Sequence, residues 1–374
     1  MNDIDMDKFV YLCNKKQSED PSKILKDKSI WIFGAGNFAK DLCKVIQQNG
    51  FIVQGFVVSN IVQDKVFELP VVSLKEFCFD KKKIQLVFGV FNCETPFDKL
   101  KGSMKENGFD SIFMPWDIYT QFGEFLGWRF WLSSSNLIIN SLPKIKRVFN
   151  LLEDEASKQC LLNICAFRLG VNDSYASFKH SDNQYFNQIT LEALNNSPVK
   201  YVDMGAYNGD TVIELSKKSN LVNAYLFEPD FNNFNNFNNL VESVSQLKIK
   251  SLCFPLGVSD SYKILSFSSG NGEACTISDD GNMHIATASL DEILINHDVN
   301  FIKMDIEGAE ALALIGAKKI IKKCRPILAI SYYHKPDDIW EIPLLLEKQC
   351  ENYKFYLRQH LYNSFESVLY AIPS

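Results

Sequence analysis

The sequence predicts an α/β protein built from two parallel-sheet domains with a helical segment between them. Its 374 residues are enough for two domains of ~100–200 residues, each with its own core. Strand-like and helix-like segments alternate over residues 1–115 and again from residue 199 to the end, which is typical of parallel sheets. A glycine-rich turn follows the first strand of each series.

Composition and charge exclude several classes of protein. With 39 basic and 45 acidic side chains, the chain has a net charge of -6 and no basic surplus to displace the counterions of a nucleic acid. No apolar run approaches the ~18–20 residues of a membrane span, and the acidic N-terminus does not resemble a secretory signal. The ten cysteines and five histidines form no ligand motif, so no metal site is predicted. We therefore expect a soluble cytoplasmic protein without nucleic-acid partners or a membrane span, and the sequence leaves a homo-oligomer open.

The first βα series covers residues 1–115. A buried strand at residues 30–34 leads into the turn Gly34–Ala39, and residues 40–48 have helical periodicity. Further strands at 53–58 and 83–89 and a helix at 97–107 complete a small Rossmann-like parallel-sheet domain.

Residues 116–198 interrupt this pattern. Strand signals fade, and the amphipathic stretch 148–169 predicts a helical connector that could also cap a neighbouring site. The second series, residues 199–374, contains five strand-like segments and ends in two alternating stretches, 355–358 and 366–372, typical of antiparallel strands. Within it, the phenylalanines of residues 231–240 recur every three residues, which favours packing along one side of a helix.

The strongest motif is Asp203–Asp210, which follows a strand and opens a helix. Gly205 and Gly209 allow a tight turn and a close approach of a ligand to the backbone, and the helix N-terminus favours a negative group. About twenty residues later, Glu228 ends the next strand, where a carboxylate suits the two hydroxyls of a ribose. This pairing fits either a dinucleotide or S-adenosylmethionine.

Further motifs separate these two cofactors: Ser289-Leu290-Asp291, the run Lys303–Glu310 (K-x-D-I-E-G-A-E) and Ser331–Pro336 follow in order. D-x-G-A-x-x-G-D and Glu228-Pro229 precede these motifs in the chain. With all of them in this order, the chain from about residue 200 onward resembles the FkbM family of S-adenosylmethionine-dependent methyltransferases. The resemblance implies a class I methyltransferase fold, a seven-stranded sheet with an antiparallel edge hairpin, and O-methylation with S-adenosyl-L-methionine as cofactor. It also implies a set of cofactor-binding residues: Asp203, Gly205, Ala206, Gly209, Asp210 and Glu228, with Gly257, Val258 and Ser259 flanking the adenine.

Candidate catalytic residues lie where two later strands end. Asp305 and His334 are both predicted at the carboxyl edge of the sheet, where open α/β sheets bind ligands. Methyl transfer to a hydroxyl needs a nearby base, so we predict His334 in this role, with Asp305 orienting it or sharing the role and Glu307 in support. For Glu310, the helix dipole alone is the better explanation. The loop 269–273 is predicted to close over the site.

The N-terminal turn carries a weaker signal. Its second strand ends at Ser59-Asn60, without the acid that an NAD ribose requires. The segment resembles the small nucleotide-sugar-binding domains that precede sugar O-acyltransferases, which implies a pyrophosphate site at Gly34, Gly36, Asn37 and Phe38. A degenerate module kept for packing or dimerisation is the alternative.

These observations favour a methyltransferase that uses S-adenosyl-L-methionine and modifies a hydroxyl of a sugar, nucleotide sugar or glycan precursor. The acceptor is thus a small molecule or glycan, with or without a linked nucleotide. DNA methylation is disfavoured because no N/D-P-P-Y or Pro-Cys motif is present. Two alternatives stay open: an NAD(P)-dependent oxidoreductase using Gly34 and Gly36, and a non-catalytic nucleotide-sugar-binding scaffold with an inert methyltransferase fold.

Overall fold

The computed structural model describes residues 4–20, 24–26, 29–172, 180–230, 249–268, 276–277 and 283–374. The predicted closing loop at 269–273 and the phenylalanine-rich stretch at 231–240 therefore lie outside the described residues. The chain divides into two compact units, each assembled from three separate segments. Unit 1 comprises Met1–Lys146, Gln159–Lys179 and Leu361–Phe365, and unit 2 comprises Arg147–Lys158, His180–His360 and Glu366–Ser374.

Unit 1 is built around a six-stranded sheet in the order β3-β4-β2-β1-β5-β6. Its strands are β1 Ser29–Phe33, β2 Val53–Val58, β3 Lys65–Val66, β4 Leu69–Ser73, β5 Ile84–Phe88 and β6 Ser111–Phe113. All neighbours pair in parallel except β3, which is antiparallel to β4. The helices over this part of the chain are α1 Met6–Gln17, α2 Asn37–Gln48, α3 Phe97–Glu106, α4 Pro115–Leu126 and α5 Ser135–Asn140.

The segment Leu361–Phe365 belongs to unit 1 although its flanking residues belong to unit 2. Asn363 accepts a hydrogen bond from the Phe97 backbone N–H (3.0 Å) and donates to the Thr95 carbonyl (2.8 Å). The Phe365 ring packs against Phe91, with ring centroids 5.1 Å apart. These contacts bury the segment within the unit 1 core.

The predicted helical connector is helical along most of its described length. Three helices follow α4 and α5: α6 Leu142–Leu151, α7 Glu155–Arg168 and α8 Gln188–Leu194. Their residues are divided between the two units, since 159–179 belongs to unit 1 and 180–198 to unit 2. The three-part domain division, with boundaries after 115 and 198, stays a prediction.

Unit 2 contains a seven-stranded sheet in the order β16-β17-β15-β14-β7-β8-β9. The strands of this unit are β7 Val199–Met204, β8 Leu221–Phe227, β9 Lys250–Phe254, β10 Gly257–Val258, β11 Lys263–Ser268, β12 Thr276–Ile277, β13 Met283–Ala288, β14 Phe301–Met304, β15 Ile327–Ser331, β16 Tyr353–Gln359 and β17 Ser367–Pro373. β17 runs antiparallel to both β15 and β16, whereas the other neighbours are parallel. The predicted fold class, with its antiparallel hairpin at one edge, is confirmed.

The strand order of this sheet determines where a ligand can bind. β7 lies between β8, which follows it in sequence, and β14, which comes about a hundred residues later. Connections leave β7 and β14 on opposite sides, so a crevice opens at their carboxyl ends. Tyr201 and Phe301 fill the core beneath these ends, with ring centroids 5.5 Å apart.

Unit 2 also contains a smaller sheet and several helices. Strands β10 to β13 form a four-stranded sheet in the order β10-β13-β11-β12. The helices that follow β7 in the described residues are α9 Asp210–Lys218, α10 Leu290–Leu294, α11 Glu310–Gly316, α12 Lys318–Cys324 and α13 Asp338–Gln349. Across the described chain, no helix combines the length and apolar character that crossing a membrane requires.

The Ser289-Leu290-Asp291 motif explains how two of these helices begin. Ser289 caps α10, where its hydroxyl accepts the Glu292 N–H (3.2 Å) and the Glu292 carboxylate bonds back to Ser289. The Asp291 carboxylate accepts the N–H groups of Lys319 (2.9 Å) and Ile320 (2.8 Å) in the first turn of α12. This motif therefore stabilises helix starts.

Candidate active site

The glycine turn after β7 joins the ends of two strands. Gly205 has φ +82°, and a Cβ atom there would lie 1.9 Å from the Asp305 carbonyl oxygen at the end of β14. Only glycine allows this approach, because any side chain would force the two turns apart. The close approach that the sequence predicts at Gly205 is thus made by the protein's own backbone. Gly209, with φ +76°, is the N-cap of α9.

Glu228 is fixed beside this turn. Its Oε2 accepts the Tyr207 backbone N–H (2.9 Å), and its Oε1 accepts the Asp230 N–H (2.9 Å). The Glu228 backbone N–H donates to the Phe254 carbonyl at the end of β9 (3.1 Å). The structure therefore brings the glycine turn and the predicted ribose acid together, with the carboxylate held in one orientation.

A buried ion pair lies beneath the turn. Asp203 is fully buried, and its Oδ1 lies 3.0 Å from the Lys303 Nζ, while its Oδ2 accepts the Thr211 hydroxyl. Lys303 also donates to the Gly205 carbonyl (2.7 Å). Burial lowers the pKa of Lys303, but the charges of Asp203 and Asp305 outweigh burial and raise it, so the lysine is charged. Asp203 thus supports the turn from below and does not reach its surface.

The other predicted cofactor residues differ in accessibility. Ala206 is buried, and its N–H donates to the Phe227 carbonyl (3.0 Å). Asp210 is exposed at the first position of α9, where its carboxylate accepts the Thr211 N–H (2.8 Å). Both residues belong to the same turn as Gly205.

The predicted adenine segment lies in the smaller sheet of unit 2. Gly257 is half-buried, whereas Val258 and Ser259 are buried, and β10 pairs in parallel with β13. The Ser259 N–H donates to the Ala288 carbonyl (3.0 Å). The segment follows the carboxyl end of β9, which is the strand next to Glu228 in the seven-stranded sheet.

Four side chains meet at the ends of β14 and β15, and we call them the acid–imidazole cluster: Asp305, Glu307, Glu310 and His334. The His334 Nδ1 lies 2.8 Å from Glu310 Oε1, and its Nε2 lies 3.3 Å from Asp305 Oδ1 and 3.6 Å from Glu307 Oε2. The structure thus brings the three predicted catalytic residues together. Glu310, which the helix dipole alone could explain, is the carboxylate nearest to the imidazole ring.

Exposure and charge differ sharply within the cluster. The side chain of Glu307 is 46% exposed and that of Asp305 24%, whereas His334 is 2% exposed and Glu310 is fully buried. Burial alone would lower the pKa of His334, but Glu310, Asp305 and Glu307 together raise it to about 10. Burial raises the pKa of Glu307, against the opposing charge of His334.

Sequence reasoning missed two residues near this cluster: Tyr185, which bonds Asp305, and Glu366, whose pKa the charge of Asp305 affects. The Tyr185 hydroxyl donates to Asp305 Oδ2 (2.7 Å) and lies 3.2 Å from the Ser331 Oγ. Glu366, just before β17, accepts the Tyr333 hydroxyl (2.9 Å) and the Gln184 amide, and burial together with the Asp305 charge raises its pKa to about 7. Tyr185 comes from the segment predicted as a cap, and that prediction was the sequence signal that could have indicated it. No sequence motif indicated Glu366.

The glycine turn after β1 in unit 1 has a backbone geometry similar to that of the Gly205 turn. Gly34 has φ +105°, and a Cβ there would lie 2.8 Å from the Gly89 carbonyl oxygen. Gly36 and Asn37 are exposed, and a Cβ on Gly36 would meet nothing within 4 Å. Phe38 is buried against Tyr119, with ring centroids 6.4 Å apart. Two of the four predicted nucleotide-binding residues are therefore open to a ligand, and Phe38 is part of the core.

A comparison with protein families identifies the larger part of unit 2. Residues 203–364 match the methyltransferase FkbM domain, a range that contains the glycine turn, Glu228 and the acid–imidazole cluster. These residues form an FkbM methyltransferase domain. The expected family and the expectation of a methyltransferase are both confirmed.

One solved structure has the same fold along nearly the whole chain. The methyltransferase FkbM from Methylobacillus flagellatus KT is similar over 98% of this chain and 98% of its own, with a TM-score of 0.77 and 20% sequence identity. The fold of that protein thus extends over both units of this chain. A precorrin-6y C5,15-methyltransferase from Geobacter metallireducens GS-15 covers 53% of this chain and 95% of its own, with 12% identity and a TM-score of only 0.32. A comparison with curated proteins gives no match.

Proposed function

We propose that the FkbM domain transfers a methyl group from S-adenosyl-L-methionine to a hydroxyl of a sugar, nucleotide sugar or glycan precursor. One observation carries this proposal most directly: the Glu228 carboxylate is fixed beside the Gly205 turn by the N–H groups of Tyr207 and Asp230. A carboxylate that is already oriented can accept both hydroxyls of a ribose without losing further side-chain entropy.

The cofactor half of the site follows from this placement. Glu228 would hold the ribose, the Gly205 turn and the N-terminus of α9 would hold the amino-acid part, and Gly257–Ser259 would flank the adenine. Asp203 acts here as a positioning residue, because it is fully buried and holds the turn through Lys303.

The acceptor half lies at the acid–imidazole cluster. S-adenosyl-L-methionine bound beside this cluster would supply an electrophilic methyl group: the acceptor oxygen would form the bond to that carbon, the carbon–sulfur bond would break, and S-adenosylhomocysteine would leave. The hydroxyl proton passes to a carboxylate and then to water. Asp305 and Glu307 are the accessible proton acceptors, because their side chains are 24% and 46% exposed whereas that of His334 is 2% exposed. The base role predicted for His334 stays a prediction, and its burial favours a positioning role.

The polarity of the cluster supports a polyhydroxyl acceptor. The carboxylates of Asp305 and Glu307 are the partly exposed groups of the cluster, and carboxylates accept hydrogen bonds from several hydroxyls of one ring. Independently of this site, the open turn at Gly36 and Asn37 in unit 1 is proposed to bind the pyrophosphate of a nucleotide sugar. We place the reaction in the cytoplasm, in keeping with the described cysteines, all of which are free thiols.

Binding of S-adenosylhomocysteine tests this proposal. We expect the full-length chain to bind it in calorimetric titration, and Glu228→Ala to weaken binding about tenfold or more, since a charge-assisted bond contributes ~1.5–3 kcal/mol. Asp298→Ala is the matched control, because Asp298 is an exposed acid that pairs with Lys200 at the amino end of β7. Equal affinities for the Glu228 variant and the control, with both folded, would contradict the ribose assignment.

A further inference from the structure

We propose that His334 carries a permanent positive charge between Glu310 and Asp305, and that this charge keeps Asp305 ionised as the proton acceptor of methyl transfer. His334 is then a positioning residue, since it acts through Asp305. The charge of the ring follows from the geometry of the acid–imidazole cluster, whereas its catalytic meaning rests on the proposed function.

Both ring nitrogens of His334 face carboxylate oxygens. Nδ1 lies 2.8 Å from Glu310 Oε1, and on the other side of the ring Nε2 lies 3.3 Å from Asp305 Oδ1 and 3.6 Å from Glu307 Oε2. A neutral imidazole has a proton on one nitrogen and a lone pair on the other. In either tautomer the lone pair would point at a carboxylate, and the two acceptors would repel each other. The imidazolium, with a proton on both nitrogens, satisfies both sides.

Glu310 holds the ring from behind. Its Oε1 accepts the Ile306 N–H (3.0 Å) as well as the Nδ1–H of His334, so two donors orient the carboxylate toward the ring. Glu310 is fully buried, and a buried carboxylate without a cation beside it is costly. The positive charge of His334 offsets that cost. Because both side chains are buried, neither of them is open to the acceptor.

The charges around the ring agree with this assignment. Burial lowers the pKa of His334, but Glu310, Asp305 and Glu307 outweigh burial and raise it to about 10. Other ionisable groups lie beneath the glycine turn, beside His334, at the start of α13 and just before β17: Lys303, Tyr333, Lys335, Asp338 and Glu366. Lys303 is paired with Asp203, so His334 is the cation within the cluster.

Asp305 is the residue on which this charge acts. Burial raises its pKa, but the charges of His334 and Lys303 outweigh burial and, with the Tyr185 hydroxyl, hold the pKa of Asp305 below its usual range. Tyr185 donates to Oδ2 (2.7 Å), while Oδ1 faces His334. The carboxylate is therefore both ionised and fixed in orientation.

An ionised carboxylate is a sufficient base for this reaction. The acceptor oxygen becomes positively charged as it gains the methyl group, and its proton is then strongly acidic. Asp305 would accept the hydrogen bond of the hydroxyl, take that proton and pass it to water, since its side chain is 24% exposed. The His334 ring keeps its protons throughout.

Nitrogen NMR of the full-length chain, labelled with nitrogen-15 histidine, tests the charge without any measurement of activity. An ordinary histidine is neutral at about pH 8.5, because its pKa is about 6.5. We expect one of the five histidines to give an imidazolium signal at that pH, and this signal to disappear in His334→Gln. A wild-type spectrum without an imidazolium, or a signal that persists in the variant, would overturn the proposal.

The part played by Glu310 is tested by the midpoint of the same titration. In Glu310→Gln the proton affinity of His334 should fall about 100-fold or more, because the carboxylate nearest to the ring is lost. Glu347→Gln is the matched control, since Glu347 is a half-buried acid of α13 that pairs with Arg147 (2.8 Å). Equal midpoints in the two variants would contradict the role of Glu310. If Glu310→Gln does not fold, the wild-type spectrum still decides the charge.

The pH dependence of kcat separates a charge role from a base role and a structural role. Without the His334 charge the pKa of Asp305 rises, so its protonated form is populated at low pH. The wild-type kcat divided by that of His334→Gln should therefore fall about threefold or more between about pH 6 and pH 8. Titrations that both chains share, such as those of Asp338 and Glu366, divide out of this ratio. A constant ratio would indicate a structural role and a rising ratio a base role, and either would overturn the proposal.

The affinity for S-adenosylhomocysteine, measured on the same samples, separates this proposal from the proposed function. A chain that shows the imidazolium but does not bind S-adenosylhomocysteine would contradict the proposed function and, with it, the catalytic meaning of the charge. A chain that binds S-adenosylhomocysteine but has a neutral His334 would overturn the charge and leave the proposed function standing.

Discussion

The two glycine turns of this protein have the same backbone geometry and different surroundings. Gly34 follows β1 and Gly205 follows β7, both have positive φ, and at both the place of a Cβ is taken by a carbonyl oxygen from the strand across the crevice. In unit 1 that oxygen belongs to Gly89, with Val90 beside it. In unit 2 it belongs to Asp305, the first acid of the acid–imidazole cluster.

The glycine turn is therefore a feature of the parallel-sheet fold that both units share. The chemistry at each turn depends on the charged residues around it. Unit 2 places Lys303 beneath its turn and Glu228 beside it. At the corresponding place in unit 1, the end of β2, the chain reads Ser59-Asn60. A glycine turn alone therefore predicts a parallel sheet with a crevice, and the flanking acids decide what that crevice can do.

Removing the charge at the unit 2 turn should have the largest effect. We expect Asp305→Asn to lower kcat for methyl transfer by about 10²- to 10⁴-fold, because an accessible carboxylate beside the acceptor is lost. The matched variant is Asp41→Asn, which removes an acid of unit 1 whose partner is Arg129 (2.8 Å). Steady-state kinetics with S-adenosylmethionine and an accepted sugar should show wild-type kcat for the control. Equal rates in the two variants would show that the charge distinguishing the turns has no part in the reaction.

The shared backbone geometry predicts a loss of stability when a methyl group is added. Gly205→Ala should lower the free energy of unfolding by more than about 3 kcal/mol, because its Cβ would overlap the Asp305 carbonyl at a positive φ. Gly36→Ala is the control, since nothing lies within 4 Å of its Cβ and its φ is -76°. Denaturant titration measures both. We expect Gly34→Ala to lie between them, and equal stability of all three variants would refute the packing argument.

The two units should also differ in their response to acid, because all five histidines lie in unit 2. Burial lowers the pKa of His360 to about 4, an effect that the charge of Arg358 and the neighbouring His180 reinforce and Asp182 opposes. The folded pKa lies below the unfolded value, so stability is full above pH 6.5 and is lost as the pH falls toward 4. The loss should reach about 3 kcal/mol.

Thermal unfolding followed by circular dichroism at pH 7 and pH 4.5 measures this loss, and His360→Gln should reduce it. The variant keeps a polar group that can reach the Tyr370 hydroxyl, which lies 2.8 Å from the His360 Nε2. If the wild-type chain and the variant lost the same free energy between the two pH values, another group would have to carry the effect.

The smallest effect concerns the open turn of unit 1. If Gly36 and Asn37 bind a pyrophosphate, Gly36→Val should weaken binding of UDP-glucose about tenfold or more and leave S-adenosylhomocysteine affinity unchanged, because the glycine turns lie in separate sheets. Titration calorimetry with both ligands measures the two affinities. A wild-type chain that does not bind UDP-glucose or other nucleotide sugars would favour the alternative of a packing module.

The sequence predicted the elements that depend on local pattern. Buried strands followed by glycine turns indicated both parallel sheets, and the strand ends at Asp305 and His334 indicated that these residues would meet. Their separation of 3.3 Å confirms that they come together, although their roles stay predictions.

The remaining features depend on contacts between distant residues, which one sequence does not encode visibly. Glu310 fits the helix dipole by position, yet its closest partner is the His334 ring at 2.8 Å. Asp203 lies in a motif that suggests a ligand contact, yet Lys303, a hundred residues away, pairs with it under the turn. Glu366 reaches the site only because β17 runs antiparallel and begins at the edge where the parallel strands end.

The segment Leu361–Phe365 has a consequence for how this chain can be divided. It belongs to the core of unit 1 through Asn363 and Phe365, yet it joins the last two strands of the unit 2 sheet. Neither unit is therefore a contiguous piece of the gene, and no single cut yields a fragment with a complete core. A fusion or exchange that replaced residues 1–146 alone would keep Leu361–Phe365 between β16 and β17. That segment would then lack the unit 1 residues against which Asn363 and Phe365 pack. An engineered boundary would therefore have to exchange the three segments of a unit together.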